Sequence, residues 1–308
     1  MAPSEPVPPA RGTPDNVPRG IACLLGATSL FSVVNMAAKW LSQDYPLGEI
    51  VFFRSALSLV PCVLIVVTHG GFRALRTSRL GMHGMRTFFG FISLTAAFLS
   101  FSLMPLGDAV AIGYAGPLFV TALSVPLLAE RVGAHRWSAV GVGFMGVLLM
   151  AHPSGGVTLV GALAGLANAF FYALSMISVR QLGATETAPA MLFYHSMFST
   201  AFALPLLWLG WVTPTLPGLA ALCGIGLLGG GSQWLVIHAF RQAPPSSLSP
   251  FAYIGLVWAM AWSWLIWGDL PTGWLLGGAG LVVASGLYIL RREIMLGLIR
   301  RRAADDMT

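Results

Sequence analysis

Residues 104–132 read MPLGDAVAIGYAGPLFVTALSVPLLAERV, and residues 243–271, 139 positions later, read APPSSLSPFAYIGLVWAMAWSWLIWGDLP. Laid over one another without a gap, Pro105 meets Pro244, Ala109 meets Leu248, Tyr114 meets Tyr253 and Glu130 meets Asp269. Hydrophobic stretches share vocabulary by default. Turn prolines, a tyrosine and an acidic helix end falling into one register are a stronger signal, and they mark an internal repeat. A shift of 141 extends it backwards, placing FFRS (52–55) over FYHS (193–196) and Lys39 over Arg180.

What is repeated is a set of membrane spans. Only 9% of the 308 residues are charged, 56% are hydrophobic, and the mean hydropathy is +0.78. A soluble chain carries roughly a quarter of its residues as charges. This composition therefore belongs to an integral membrane protein. A crossing helix needs about 20 apolar residues, and ten such runs follow one another. They lie near 21–38, 50–68, 87–104, 109–129, 137–152, 157–179, 188–210, 218–239, 246–267 and 273–290. The proline-rich segment 1–18 reads as a disordered tail. A cleaved signal peptide is the competing reading of the first run, but the repeat requires that run as a helix.

Five spans per repeat is an odd number, so the second half enters the membrane upside down relative to the first. Inverted repeats are a mark of secondary transporters that open a midplane site to alternate sides. Orientation follows from charge. With the N-terminus inside, all but Lys39 and Arg54 of the 17 basic residues fall on the inner side, Arg73, Arg76, Arg79 and Arg86 among them. Both termini are expected to be cytoplasmic. The net charge of +6 and pI near 9.7 thus express membrane topology, and a nucleic-acid partner is not expected. Cys23, Cys62 and Cys223 lie inside apolar runs and form neither a disulfide framework nor a metal cluster.

The segment MPLGDAVAIGYAGPLFVTALSVPLLAERVGAHRWSAVGVGFMGVLLM (104–150), the segment SPFAYIGLVWAMAWSWLIWGDLPTGW (249–274) and the closing VVASGLYIL (282–290) resemble the drug/metabolite transporter superfamily with two EamA-type repeats. The resemblance covers about residues 19–291, with MPLGDA standing where the family usually has a leucine and LADA. It implies ten helices, a central cavity between the halves, and transport of small organic solutes. Related branches move amino acids, riboflavin, S-adenosylmethionine or metallophore-like metabolites. The motifs identify the scaffold and leave the substrate open.

Arg54, in GEIVFFRSALSLVPCVLIVV (48–67), is the residue that most needs a reason. An arginine in hydrocarbon costs on the order of 3 kcal/mol. It has two readings: a side chain snorkelling to the outer headgroups, or one facing an aqueous cavity, binding a substrate anion or pairing with Glu49 or Asp108 as an outer gate. Its repeat mate is His195. The acids Asp44, Glu49, Asp108, Glu130, Glu186 and Asp269 lie at helix ends or in loops, leaving His195 and His238 as candidate proton carriers. Asn35, Asn168 and Gln233 are amides within apolar runs that either bond between helices or line the cavity. Tyr114 and Tyr253 are further candidate lining residues. Phe251, Gly255, Trp258 and Trp262 share one face of helix nine by spacing, and Trp258 is a candidate stacking residue, with lipid contact as the alternative. GYAGP (113–117) is a candidate hinge through Gly113 and Pro117, and Pro250 is its counterpart. The runs GVGFMG (141–146), GALAG (161–165) and GGAG (277–280) allow close helix contact.

The intramembrane enzyme is the rival class, and it lacks an H-E-x-x-H motif or paired membrane acids. A channel lacks rings of charge or of carbonyl-forming motifs. The expectation is an all-α membrane protein of ten transmembrane helices in two inverted five-helix repeats, 19–152 and 157–291, with tails 1–18 and 292–308. Its expected role is a secondary transporter of the bacterial inner membrane that needs no cofactor and handles a small-molecule solute. It is expected to be a monomer, with a homodimer as the alternative.

Overall fold

The computed structural model describes residues 16–68, 71–128, 134–151, 156–183, 185–242, 248 and 251–305. Among these the chain is helical throughout. The principal helices are α1 (Val17–Leu41), α2 (Leu47–Thr68), α3 (Leu80–Leu103), α4 (Leu106–Gly113), α5 (Gly116–Leu128) and α6 (Ala134–Met150). They continue with α7 (Leu159–Leu182), α8 (Ala188–Ala203), α9 (Leu216–Gln242), α10 (Ile254–Trp267) and α11 (Gly273–Asp305). Seven described segments are long and apolar enough to cross a membrane, and three shorter apolar helices accompany them: Trp137–Met150, Ile254–Trp267 and Gly273–Ile289.

Local chemistry sets the helix limits. Asn16 accepts from the Arg19 amide and caps α1, and Thr158 and Thr187 do the same for α7 and α8 through Gly161 and Ala190. α10 ends on Gly268, whose φ of 74° suits a residue without a Cβ. α4 and α5 form one span, Leu106–Leu127, interrupted by a turn at Tyr114 and Ala115. Pro117 explains the break: it has no amide to donate and its ring excludes the carbonyl four residues earlier, on Gly113, where α4 stops.

Two helix limits differ from the sequence reading. α3 begins at Leu80, seven residues before the expected Thr87, so Arg86 lies inside a helix rather than at an inner membrane edge. The charges of Arg79, His83 and Arg86 lower the apolar signal of that turn without breaking it. α11 also continues through the basic segment to Asp305.

The packing is paired. α3 runs along α7 and α1 along α9, α2 lies between α8 and α9, and α6 packs on α11. α4 and α5 lie on α7, α10 lies on α1, and α4 touches α10. α6 and α11 approach most closely at Gly146, where a Cβ would come within 2.6 Å of the Gly278 carbonyl oxygen. The glycines Gly146, Gly161, Gly165 and Gly278 all meet partners within the chain. Leu64, Leu148, Leu163 and Leu265 are more than half exposed, at 62%, 64%, 56% and 64%. An apolar exterior of this kind suits lipid and not water.

Candidate functional site

Arg54 sits seven residues into α2, about 10 Å from its N-terminal end at 1.5 Å per residue. It is not snorkelling. The residue is 9% exposed and lies over Gly229 of α9, where an added Cβ would stand 3.5 Å from Nε. Its Nε is enclosed and finds no acceptor among the described residues. One and two turns deeper, Ser58 and Cys62 reach across to Ser196 of α8, at 3.1 and 3.3 Å. Ser196 adjoins His195, the repeat mate of Arg54, which lies seven residues into α8 from the opposite side.

His195 meets α3 and α7 where α3 presents Gly90. A Cβ on Gly90 would fall 3.0 Å from His195 Cε1 and 3.2 Å from Ser175 Oγ. Ser175 donates to the carbonyl of Arg86 (3.3 Å), one turn from Gly90, and Arg86 Nη1 donates to the carbonyl of Met191 (2.9 Å). Arg86 Nε and His195 Nδ1 are enclosed without partners. Both guanidinium groups lie within electrostatic range of the His195 ring. Arg54 and Arg86 thus bring two positive charges into the interior of the bundle, with the His195 imidazole near both. The histidine–carboxylate contact found among the described residues is elsewhere, between His83 and Glu186.

Asn168 borders this region from α7, accepting from Ser93 through its side-chain oxygen (2.8 Å) and its carbonyl (3.1 Å), with its amide nitrogen against Gly113. Asn35 and Gln233 are half-buried on α1 and α9, the helices that pack along each other. Tyr114 and Tyr253 lie against one another with their rings tilted, centroids 5.4 Å apart, and the Tyr114 hydroxyl donates to the Ala252 carbonyl. Both occupy helix breaks in the same conformation, φ −68° and −67°. Trp258 lies apart from this group, 39% exposed between Val257 and Leu265 on the outward face of α10. Its neighbour Trp262 turns inward and donates to Ser32 (3.1 Å). Pro250 lies outside the described residues, and Pro117 is exposed.

The two ends are closed by separate clusters. At one end, where α1 closes, Lys39 Nζ donates to the Met104 carbonyl (2.8 Å), lies 4.9 Å above the Trp267 ring, and is within electrostatic range of Asp108 and Asp269. Asp269 accepts from Ser263 (3.2 Å), and a shallow cleft lies beside Asp108, Asp269 and Met260. Asp108 therefore serves Lys39 rather than Arg54. Glu49 likewise accepts from the Val212 amide (3.1 Å) and leaves Arg54 unpaired. At the opposite end His83 meets Glu186 (3.3 Å) and packs on Tyr194, whose hydroxyl donates to the Leu75 carbonyl. A second shallow cleft lies between Ile65, Leu192 and Ile237. No three His, Cys, Asp or Glu side chains among the described residues come together as a metal would require.

Sequence reasoning missed Arg86 as an interior residue, and it left Lys39 without a partner. The signal for Arg86 was its spacing of four from Gly90 on a continuous helical face, which a search for apolar runs overlooks.

A helical bundle with an enclosed basic centre and capped ends suits a carrier, and comparison with known proteins agrees. EamA-like transporter sequences match residues 18–151 and again 159–291. The chain belongs to the EamA-like transporter family. It is similar to the pseudopaline exporter CntI of Pseudomonas aeruginosa (strain UCBPP-PA14), 30% identical over 281 residues, covering 91% of this chain and 98% of the relative. A riboflavin transporter of Vibrio cholerae serotype O1 is 28% identical over 279 residues, covering 89% and 94%. An S-adenosylmethionine uptake transporter of Rickettsia prowazekii is 27% identical over 274 residues, covering 89% and 93%. A solved crystal structure shares the fold with a TM-score of 0.63 at 18% identity, covering 89% of this chain and 98% of its own. Family membership makes this EamA protein a transporter and not an enzyme.

Proposed function

We propose that this transporter carries a small polar organic metabolite with an anionic or zwitterionic group across the bacterial inner membrane by alternating access, with Arg54 holding the charged group. The carrying observation is the burial of Arg54 with no acid beside it among the described residues. Asn35, Asn168, His195 and Gln233 supply hydrogen-bonding capacity around the same interior, and Tyr114 and Tyr253 line the region where the two broken helices meet.

The architecture behind this is ten spans in two inverted repeats, 19–152 and 157–291, with both termini cytoplasmic. Its support is the packing pattern. Under the repeat, the α3–α7 pair is the mate of α9–α1, α2–α9 of α8–α3, and α5–α7 of α10–α1, while α2–α8 and α6–α11 are their own mates. A pseudo-two-fold axis through the Tyr114–Tyr253 pair produces this pattern. The breaks at Gly113 and near Tyr253 are then the hinges. Relatives named for export and for uptake share this scaffold, so direction follows the gradients acting on an alternating site.

The test is solute flux into liposomes reconstituted with purified protein. Saturable flux is expected, and Arg54→Ala should lower it by about tenfold or more, the worth of one charge-assisted hydrogen bond. Membrane insertion and folded yield should be unchanged. Unaltered flux in the variant would remove Arg54 from the site.

A further inference from the structure

The interior holds two guanidinium groups and an imidazole, and every described neighbour that meets them is neutral. Ser58, Cys62, Ser175 and Ser196 surround them, with the Met191 carbonyl taking one Arg86 donor. The acids named among the described residues sit toward the ends of the bundle: Glu49 Oε2 accepts from the Val212 amide while its Oε1 is enclosed without a partner there, Glu186 meets His83, and Asp108 and Asp269 lie near Lys39. Arg54 Nε, Arg86 Nε and His195 Nδ1 are enclosed and meet no acceptor among the described residues. Buried charge without a counter-charge is so unfavourable that the negative charge must arrive with something else.

The basic groups are not gathered about one point. Arg54 stands seven residues into α2 from its N-terminal end, and Arg86 six residues into α3 from its N-terminal end. With helices of 22 and 24 residues running antiparallel, these levels lie about 13 Å apart at 1.5 Å per residue. His195 sits at Gly90, one turn from Arg86, and adds its donor to the lower group. A single compact anion cannot reach both levels unless both side chains extend toward one another. A longer molecule with an acidic group at each can, and the planar fork of a guanidinium suits a carboxylate.

We infer that the cargo is an organic polyanion with at least two separated carboxylates, one held by Arg54 and another by Arg86 with His195. This rests on the transporter reading above and narrows its cargo class. Gly90 and Gly229 are the backbone positions that let His195 and Arg54 lie against the neighbouring helices.

The test uses the full chain in lipid nanodiscs, unfolded by heat against a panel graded by charge: succinate, glutarate, citrate, glutamate, glutamine, choline and inorganic phosphate. Di- and tricarboxylates should raise the unfolding midpoint most, glutamine and choline not at all. Arg54→Gln and Arg86→Gln should each weaken carboxylate affinity by about tenfold or more, and Arg86→Lys should restore part of it. A best stabiliser that is neutral, cationic or singly acidic overturns the inference, as does failure of every di- and tricarboxylate to shift the midpoint. Phosphate outranking all carboxylates overturns the two-point geometry. Wild-type affinity in Arg86→Gln removes the lower half of the site. Counterflow in proteoliposomes separates this inference from the reading beneath it. Saturable exchange of a neutral or cationic solute overturns the polyanion while transport stands; polyanion binding without flux of any solute overturns both.

Discussion

The end of the bundle that holds Lys39 and the middle use charged side chains in opposite ways. At that end Lys39 has a carbonyl at 2.8 Å, an aromatic face at 4.9 Å and two aspartates in electrostatic range, and Asp269 has its own donor in Ser263. In the middle, the Nε atoms of Arg54 and Arg86 are enclosed and meet no acceptor among the described residues. Matched charge holds helices together. Unmatched charge in a closed interior costs stability, so it persists where something transient completes it. On the proposed function, the difference separates a latch from the place where cargo is held.

The comparison breaks most sharply on stability, because the same substitution should act with opposite signs in the two places. Replacing Arg54 with Met removes an uncompensated buried charge and keeps most of the volume, so the empty protein should become more stable by about 1–4 kcal/mol. Transport should be lost at the same time. Replacing Lys39 with Met removes a satisfied charge and strands Asp108, Asp269 and the Met104 carbonyl, at a cost of about 2 kcal/mol. Unfolding titrations with SDS in mixed micelles would measure both. Equal destabilisation by the two would mean that Arg54 is compensated after all.

Much of the scaffold was legible before any coordinates. Long apolar runs announce spans because the bilayer demands about 20 such residues, and Pro117 announced the break that divides α4 from α5. The site was legible only in part. Arg54 stood out because it is alone in an apolar run. Arg86 did not, because Arg79 and His83 precede it and the turn read as a membrane edge. Partner choice was harder still. Asp108 and Glu49 were expected near Arg54, yet Asp108 serves Lys39 and Glu49 caps the chain at Val212. Charge position along a chain reports depth in the membrane. It does not report which face of the helix a side chain takes, and pairing depends on the face.

Trp258 sharpens the same point from the other side. By spacing it shares a face with Gly255 and Trp262, and a tryptophan beside a glycine reads as a stacking platform for a planar cargo. The packing divides that face. Trp262 turns toward α1 and donates to Ser32, Gly255 lies against the Tyr114 hydroxyl, and Trp258 remains 39% exposed among Val257 and Leu265. An indole on the lipid side contributes contacts that an acyl chain can replace. Trp258→Ala should therefore change stability by no more than about 0.5 kcal/mol, and the concentration dependence of flux should match that of the unaltered protein. A several-fold rise in the half-saturating concentration, with folded yield intact, would place that ring against the cargo and move the site toward α10.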